Sequence, residues 1–239
     1  MKHDHETSPQ LLLSVLAIIG LGSLIMFTVI HLPDPIQQRV DRVAQAQTQI
    51  ASAVQAIHEA ESLDGDALRQ ASLQAFEVVR TSARDIPSEY FLKVSQTLQD
   101  AELLEETVEV VDLSLMHPVP FEEKLELLHL KADSLRSLQQ WENTRMAFNA
   151  TRTLLRQNES FFTTERALAA AYYRIYFNWI DLETRLKECD YASTLFDTMT
   201  TSTWYTQLPY QNRAQSQNFI DRIDQSIAFA CSKVDVSGS

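Results

Sequence analysis

The sequence predicts an all-α protein in which a single N-terminal transmembrane helix precedes a TPR-like array of helical hairpins. Three observations predict this class. The 239 residues include only four glycines, which disfavours β folds that depend on tight turns with positive φ. Amphipathic segments with helical spacing alternate with short segments that contain proline, asparagine or aspartate, and strand-like alternation is absent. The third observation is one long uncharged segment near the N-terminus.

That uncharged segment extends from Leu11 to Ile30, and its twenty residues would span roughly 30 Å as a helix, which is the thickness of the hydrocarbon core of a bilayer. Pro33-Asp34-Pro35 then ends the helix, because proline lacks an N–H and restricts the residue before it. We therefore predict an N-terminal tail over 1–10 and a transmembrane helix over 11–32. The alternative is a signal peptide cleaved near Ala44-Gln45-Ala46, but the apolar segment is longer than signal peptides usually have.

Four small residues within the predicted span would let a second membrane helix approach closely: Ser14, Gly20, Gly22 and Ser23. Small residues are also common in transmembrane helices that have no partner. Both interpretations therefore stay open at this point.

The orientation of the span follows only weakly from charge, because Lys2 precedes it and Arg39 and Arg42 follow it. Long C-terminal domains behind an N-terminal anchor are commonly exported. The two cysteines, Cys189 and Cys231, fall on apolar helical stripes and could face each other. A bridge between them would add about 4 kcal/mol of stability by the chain-entropy estimate, although two buried thiols are the alternative. We expect a single-pass protein of the inner (plasma) membrane with its helical domain on the periplasmic side.

A connecting helix is predicted over 33–64. Its apolar residues are spaced by alternating steps of three and four, as in a heptad seam with one glutamine in it: Ile36, Val40, Val43, Ile50, Val54 and Ile57. The same stripe would serve a parallel coiled coil, and hence a homodimer through residues 36–57. The same stripe is equally expected for a long helix that packs on its own domain. The scarcity of charge pairs beside the seam favours this second interpretation.

Residues 65–233 are predicted to form eight further helices with short connections, the TPR-like helical domain, and residues 234–239 are predicted to be a disordered tail. Residues 123–158 resemble a tetratricopeptide repeat (TPR). Large and small residues alternate at the positions where its two helices would cross: Leu128, Ala132 and Leu135, then Trp141, Thr144, Phe148 and Thr151. Residues 88–120 fit the same frame more loosely, and a third candidate ends near Asp190 to Thr194. The family glycine is absent throughout, and Lys131 stands at a position that is usually apolar.

The resemblance implies a superhelix whose concave face binds a peptide, a helix or another subunit. It carries over no binding residues, because the matched positions are packing positions. A generic α-solenoid or an irregular helical bundle remains the alternative fold.

The longest predicted helix, 163–186, is dense in aromatic residues. Its apolar residues cover more than one face, which is typical of a helix between two neighbours. The alternative is a protein-docking patch, since tyrosine and tryptophan are favoured in interfaces, and its members would be Tyr173, Tyr176, Phe177 and Ile180.

Catalytic and metal-binding patterns are weak. Glu126 and His129 form one E-x-x-H, half of what a di-iron bundle needs, and this histidine is expected on a solvated face. No glycine-rich phosphate loop or cysteine-histidine cluster is present, so we expect no cofactor and no metal. The formal net charge of −12 disfavours nucleic acid as a partner. The chain is therefore not expected to be an enzyme.

Two functions remain. The first is a non-catalytic accessory or scaffold subunit of an integral membrane protein complex, which contacts other subunits through the TPR-like domain. The second is a membrane-tethered chaperone or adaptor that binds client polypeptides during secretion or complex assembly.

Overall fold

The computed structural model describes residues 35–62, 64–162, 164–205 and 213–232. Within these residues the chain is all-α and contains no strand, which confirms that the protein is of the all-α class. The helices are α1 (Pro35–Ala60), α2 (Gly65–Ser82), α3 (Glu89–Asp100), α4 (Leu104–Leu115), α5 (Phe121–Ser137), α6 (Trp141–Gln157), α7 (Glu165–Leu186), α8 (Cys189–Thr201) and α9 (Arg213–Ser232), with a 3-10 turn at Glu159–Phe161 between α6 and α7.

None of the helices in this described part is long and apolar enough to cross a membrane. The predicted span over 11–32 lies outside the described residues, and so do its small residues Ser14, Gly20, Gly22 and Ser23. The tails predicted over 1–10 and 234–239 also lie outside them.

Side chains cap two of the helices at their N-termini. The Asp64 carboxylate accepts a hydrogen bond from the Ala67 N–H at 2.7 Å, and the Thr164 hydroxyl accepts one from the Ala167 N–H at 3.1 Å. Each cap satisfies a backbone donor that has no partner within its own helix, which typically stabilises a helix by about 1 kcal/mol.

Three consecutive hairpins, α3–α4, α5–α6 and α7–α8, share one turn. In each, a single residue adopts a left-handed backbone conformation: Glu102 (φ 57°), Gln139 (φ 59°) and Lys187 (φ 61°). The next residue donates its N–H to the carbonyl five residues before it, at 2.8, 2.9 and 3.0 Å: Leu103 to Leu98, Gln140 to Leu135, and Glu188 to Glu183. This bond closes the end of the first helix as in a Schellman motif. The shared turn gives the three hairpins a common register.

The hairpins stack in chain order. The second helix of each packs on the first helix of the next (α4 on α5, α6 on α7), and the first helices α1, α3 and α5 also contact one another in sequence. The helix α9 packs on both α7 and α8 and covers the end of the stack. Two apolar clusters fill the interior, one centred on α1–α4 and the other on α5–α9.

The helix α1 packs on the domain along only part of its length. Ile50 and Ile57 are fully buried against the cluster that α2 and α3 share. Ile36 and Val40 are 71% and 54% exposed. The C-terminal half of the heptad seam is thus occupied by the chain's own core and is not available to a second copy, which corrects the proposed dimer seam over 36–57.

Candidate protein-interaction surfaces

The common register shows which residues are equivalent in the three hairpins. Five residues after each left-handed residue, the second helix carries Thr107, Thr144 and Ala192, and all three are fully buried. The two threonine hydroxyls donate to carbonyls one turn back, at 2.8 and 2.9 Å. Small side chains at this position let the paired helices cross closely.

A buried ion pair joins α6 to α7. Glu183 has no exposed surface and lies where the other two hairpins have Leu98 and Leu135, four residues before the turn. Arg145 of α6 donates two hydrogen bonds to the Glu183 carboxylate, at 2.8 and 2.5 Å. The Trp179 Nε1–H donates a third at 2.9 Å. The hydrogen bonds that Arg145 makes to Glu183 raise the pKa of its guanidinium above the usual value, so Arg145 is charged at neutral pH.

A second ion pair joins α4 to α5 at the preceding junction. Lys131 occupies the position of Val94 and Trp179, eight residues before the turn, and its ammonium group donates to Asp112 of α4. The lysine that departs from the expected apolar pattern therefore has a partner on the neighbouring hairpin. Lys131 and Asp112 are 23% and 48% exposed, so this pair contributes little to stability.

Charged side chains of alternating sign cross from α5 to α7 on the side of the first helices. Arg174 donates to Glu126 at 3.3 Å, and Arg136 lies 3.9 Å from Asp181. Arg136 also lies 3.3 Å from Asp133, and Arg185 lies 2.9 Å from Asp181. These pairs are half-exposed and largely neutralise one another, so the strip offers no net charge to a ligand.

His129 lies beneath this strip and is only 4% exposed, so the expectation of a solvated face is wrong. The helical stripe around Leu128 and Ala132 marks one buried face of α5. However, α5 contacts α3 and α4 as well as α6, and this enlarges its buried surface. Burial, and secondarily the charge of Arg174, lowers the pKa of His129 to about 4.

This shift predicts acid sensitivity. At pH 7 the His129 imidazole is mainly neutral in both the folded and the unfolded chain. As the pH falls below about 6.5, His129 takes up a proton in the unfolded chain, whereas in the folded chain it does so only near pH 4. Unfolding free energy should therefore fall by on the order of 2 kcal/mol between pH 7 and 5 in the native chain, relative to His129→Gln. Urea titrations at each pH measure this. The His58→Gln variant, altered at an exposed histidine, should follow the native chain. Parallel curves for the native chain and His129→Gln would contradict the assignment.

The aromatic set of α7 is mainly core. Tyr176 and Ile180 are 6% and 1% exposed, so they cannot form a docking patch and that assignment is corrected for both. They are buried because α7 packs between α6, α8 and α9. Tyr173 and Phe177 are half-buried, with their rings stacked 6.3 Å apart. Burial raises the pKa of Tyr173 to about 12.

Sequence reasoning missed the role of Trp204. This residue follows α8, and its ring stacks on Tyr172 at 5.3 Å and lies 5.7 Å from Tyr176. Because Trp204 lies beyond the end of α8, the helical spacing of apolar residues could not predict that it packs in the core. It closes the aromatic cluster at one end of α7.

Cys189 and Cys231 are joined by a disulfide in this structure, with their Cα atoms 5.9 Å apart. Cys189 is the first residue of α8, and Cys231 lies in the last turn of α9. The bond holds the C-terminal end of α9 against the start of α8. A small, partly open cavity of about 170 Å³ lies between α7 and α9, where Phe177, Ile180 and Ile223 line it with Arg222 and Asp181.

An open groove lies over α5 between two hairpins, here called the α4–α6 groove, with a volume of about 350 Å³. Its floor is apolar, and most residues of its rim are polar or exposed. The floor is Val108, Leu128, Leu135 and Ala147, and the rim is Asp112, Leu115, Lys131, Gln140, Asn143, Met146 and Ala150. Met146 is 64% exposed. The sequence offered no signal for this groove, since it depends on the spacing between two helices that are not consecutive.

Among the described residues, no group of histidine, cysteine, aspartate and glutamate side chains could hold a metal ion. No protein-family model matches the chain, and neither curated proteins nor solved structures gave a match to it.

Proposed function

We propose that the chain is a membrane-anchored, non-catalytic scaffold or accessory subunit, in which α3–α8 form a TPR-like array that contacts other subunits of a membrane protein complex. The observation that supports this most is the repetition of one turn and one set of buried positions in three successive hairpins. Stacked hairpins of this kind produce long surfaces suited to polypeptide partners.

The anchor supports the same proposal from the sequence. The uncharged segment 11–30 would hold the array at the bilayer, and α1 would follow it with exposed apolar residues, Ile36 and Val40, at its start. An apolar strip on the part of α1 nearest the membrane suits contact with another membrane protein. The extracytoplasmic location of the domain belongs to this proposal, and the Cys189–Cys231 bond supports it, because disulfides persist in oxidising compartments.

The alternative function is a tethered chaperone or adaptor for client polypeptides. The open groove over α5 favours it, because a transient binder needs an accessible apolar surface in its free state.

Crosslinking in intact membranes, followed by purification of the full chain in detergent, separates the two functions. We expect one defined set of membrane proteins to copurify in a fixed ratio near one to one. A broad set of substoichiometric polypeptides would support the adaptor instead. Recovery of the chain alone, with crosslinking efficient in a control complex, would overturn both.

A further inference from the structure

We propose that one end of the domain binds the headgroup of an anionic phospholipid in a cavity lined by Arg42, Arg80 and Arg84, here called the arginine cavity. Such binding rests on the proposed function, because it needs the anchor that would hold the domain at the bilayer. It deepens that function by naming the end of the domain that meets the membrane and the chemistry of the contact.

Three parts of the chain that are distant in the sequence meet at the arginine cavity. The C-terminal end of α2 returns to the first half of α1, because a short connection makes these two helices antiparallel. The helix α4 ends at the same place, where His117 stacks on Phe91 of α3 with their rings 5.5 Å apart. The cavity among these elements has a volume of about 570 Å³, which lies within the usual range of ligand sites, roughly 300–1,000 Å³.

Positive charge predominates in the lining. The three arginines line the cavity with one carboxylate, that of Asp85. Arg80 is paired with Glu77 at 2.7 Å, whereas Arg42 and Arg84 are exposed and form no ion pair with a described residue. Even when Glu77 is counted, three arginines against two carboxylates leave an excess of positive charge, in a chain whose net charge is −12. Guanidinium groups donate paired hydrogen bonds to phosphate oxygens, so these two arginines suit a phosphate.

The two ends of the α1–α4 part of the array differ in charge. At the end opposite the cavity, Arg69 donates to the Ala101 carbonyl at 3.2 Å, and this contact brings the α1–α2 connection beside the α3–α4 turn. Eight carboxylates lie in these two regions: Glu59, Glu61, Asp64, Asp66, Asp100, Glu102, Glu105 and Glu106. The cations that oppose them are Arg69 and Lys93.

The cavity end is close to neutral by comparison. Four arginines there balance four carboxylates: Arg39, Arg42, Arg80 and Arg84, with Asp41, Glu77, Asp85 and Glu89. An anionic membrane therefore repels the opposite end strongly and the cavity end little, which orients the domain with the arginine cavity towards the bilayer.

Exposed apolar side chains adjoin the arginines. Met116, which lines the cavity with half-buried Leu113, is 74% exposed. Val40, two residues before Arg42 on α1, is 54% exposed. A phospholipid offers an anionic phosphate close to the first methylene groups of its acyl chains, whereas a dissolved phosphate offers the anion alone. The proximity of arginines to exposed apolar residues therefore favours a lipid as the ligand.

The cavity also lies close to the predicted membrane surface. Arg42 follows Pro35 by seven residues, which is about 10 Å along a helix and close to the Debye length at physiological ionic strength, about 8 Å. The predicted span ends just before Pro35. Because the anchor would keep the cavity at the bilayer, a contact of modest affinity is enough to be populated.

The test uses the full chain reconstituted into nanodiscs, made either of phosphatidylcholine alone or with about 30% phosphatidylglycerol as the anionic lipid. Hydrogen exchange followed by mass spectrometry reports on residues 82–88 and 115–120 at the cavity. We expect both segments to exchange at least about threefold more slowly in the anionic discs, and residues 100–106 at the opposite end to exchange equally in both. The protection should disappear in about 0.5 M salt, which shortens the Debye length to roughly 4 Å.

Two outcomes of this experiment overturn the proposal. The first is equal exchange of 82–88 and 115–120 in the two kinds of disc. The second is the same protection in phosphatidylcholine discs after addition of glycerol phosphate, which would identify a dissolved phosphate as the ligand instead of a lipid.

Charge reversal provides the matched variants. Arg42→Glu with Arg84→Glu should abolish the protection. Arg69→Glu with Lys187→Glu makes the same change in net charge at the opposite end and should keep it, and Glu102 shows that glutamate fits the turn position of Lys187. Arg42→Gln with Arg84→Gln removes the two charges without reversing them, should at least halve the protection, and guards against misfolding of the reversed variant. Full protection in both cavity variants, folded by circular dichroism, or equal loss in the variant at the opposite end, would refute the site.

The outcome is separable from that of the proposed function. If the native chain enters both kinds of disc and copurifies with a defined complex, but its cavity is not protected, the lipid site fails while the scaffold function stands. If the cavity is protected and the chain copurifies with nothing, the scaffold function fails and the lipid site stands. A chain that does not enter the discs lacks the anchor, and this result overturns both.

Discussion

Replacing Arg145 with methionine should destabilise the domain by about 3–5 kcal/mol, because it leaves the carboxylate of Glu183 buried without its cationic partner. Glu183 has no exposed surface, and its remaining donor in the described structure would be the Trp179 indole N–H. Urea unfolding of the full chain in micelles, followed by tryptophan fluorescence, measures the change.

The two partners should respond unequally. Glu183→Gln keeps an acceptor for Trp179 and leaves Arg145 partly exposed and paired with Glu142 at 2.5 Å. We expect it to cost about 1–2 kcal/mol, near the value of one hydrogen bond to a charged group. The double variant Arg145→Met with Glu183→Gln should recover most of the loss from Arg145→Met alone, since it contains no buried charge.

A matched control is the partly exposed ion pair between α5 and α7. Arg136 pairs with Asp133 and Asp181 at 3.3 and 3.9 Å in a half-exposed setting. Arg136→Met should cost less than about 1 kcal/mol, as exposed pairs generally do. If Arg145→Met were as mild as Arg136→Met, or if the double variant lost the sum of its single changes, the buried pair would not be the interaction that holds α6 to α7.

Local pattern was enough to predict most of the fold. The spacing of apolar residues and the positions of the interruptions predict seven helices that agree with α2–α8 to within about two residues at each end, which is the usual uncertainty of helix boundaries. Their predicted ranges are 66–84, 88–101, 103–116, 121–138, 141–157, 163–186 and 188–201. The small and large residues that suggested a repeat, such as Thr144 and Phe148, are buried at the helix crossing. Helical spacing and interruption by proline depend on neighbouring residues, so the sequence alone contains that information.

What the sequence did not predict depends on distant residues. Glu183 meets Arg145 across 38 positions, and no spacing rule connects them. His129 is buried because α5 has several neighbours, whereas one apolar stripe predicts only one. The three turns use Glu102, Gln139 and Lys187 in a conformation that normally indicates glycine, so the shared register was hidden. The α4–α6 groove is likewise a property of spacing between helices and not of any one of them.

The disulfide should matter most for α9. In the part of α9 whose side chains are described, Ile223 and Ile227 are the buried apolar residues. Few apolar contacts would therefore hold α9 on the domain if the disulfide were absent. The bond closes a loop with a sequence separation of 42. The chain-entropy estimate for such a loop is about 4 kcal/mol, or nearly a thousandfold in the equilibrium for opening.

Replacing both cysteines, Cys189→Ser with Cys231→Ser, should therefore raise hydrogen exchange in α9 by up to about a thousandfold. Exchange in α1–α4 should be unchanged, because that cluster lies at the other end of the stack and shares no core residue with α9. Mass spectrometry of the full chain in micelles resolves the two regions. The alanine pair, Cys189→Ala with Cys231→Ala, controls for the added hydroxyls. An equal rise in both regions would mean that α9 and α1–α4 unfold as one unit, and no rise would mean that the bond does not hold α9.

The same cysteines connect stability to location. A membrane-impermeant thiol reagent added to intact cells should label neither cysteine before reduction and both after it, if the domain lies outside the cytoplasm and the bond is formed there. Labelling of both without reduction would place open thiols on that side and remove the bond as the support for α9. Labelling only after cell lysis would place the domain inside, where a structural disulfide is not expected to persist. The covalent state of this pair therefore tests the orientation of the predicted anchor, although the anchor itself lies outside the described residues.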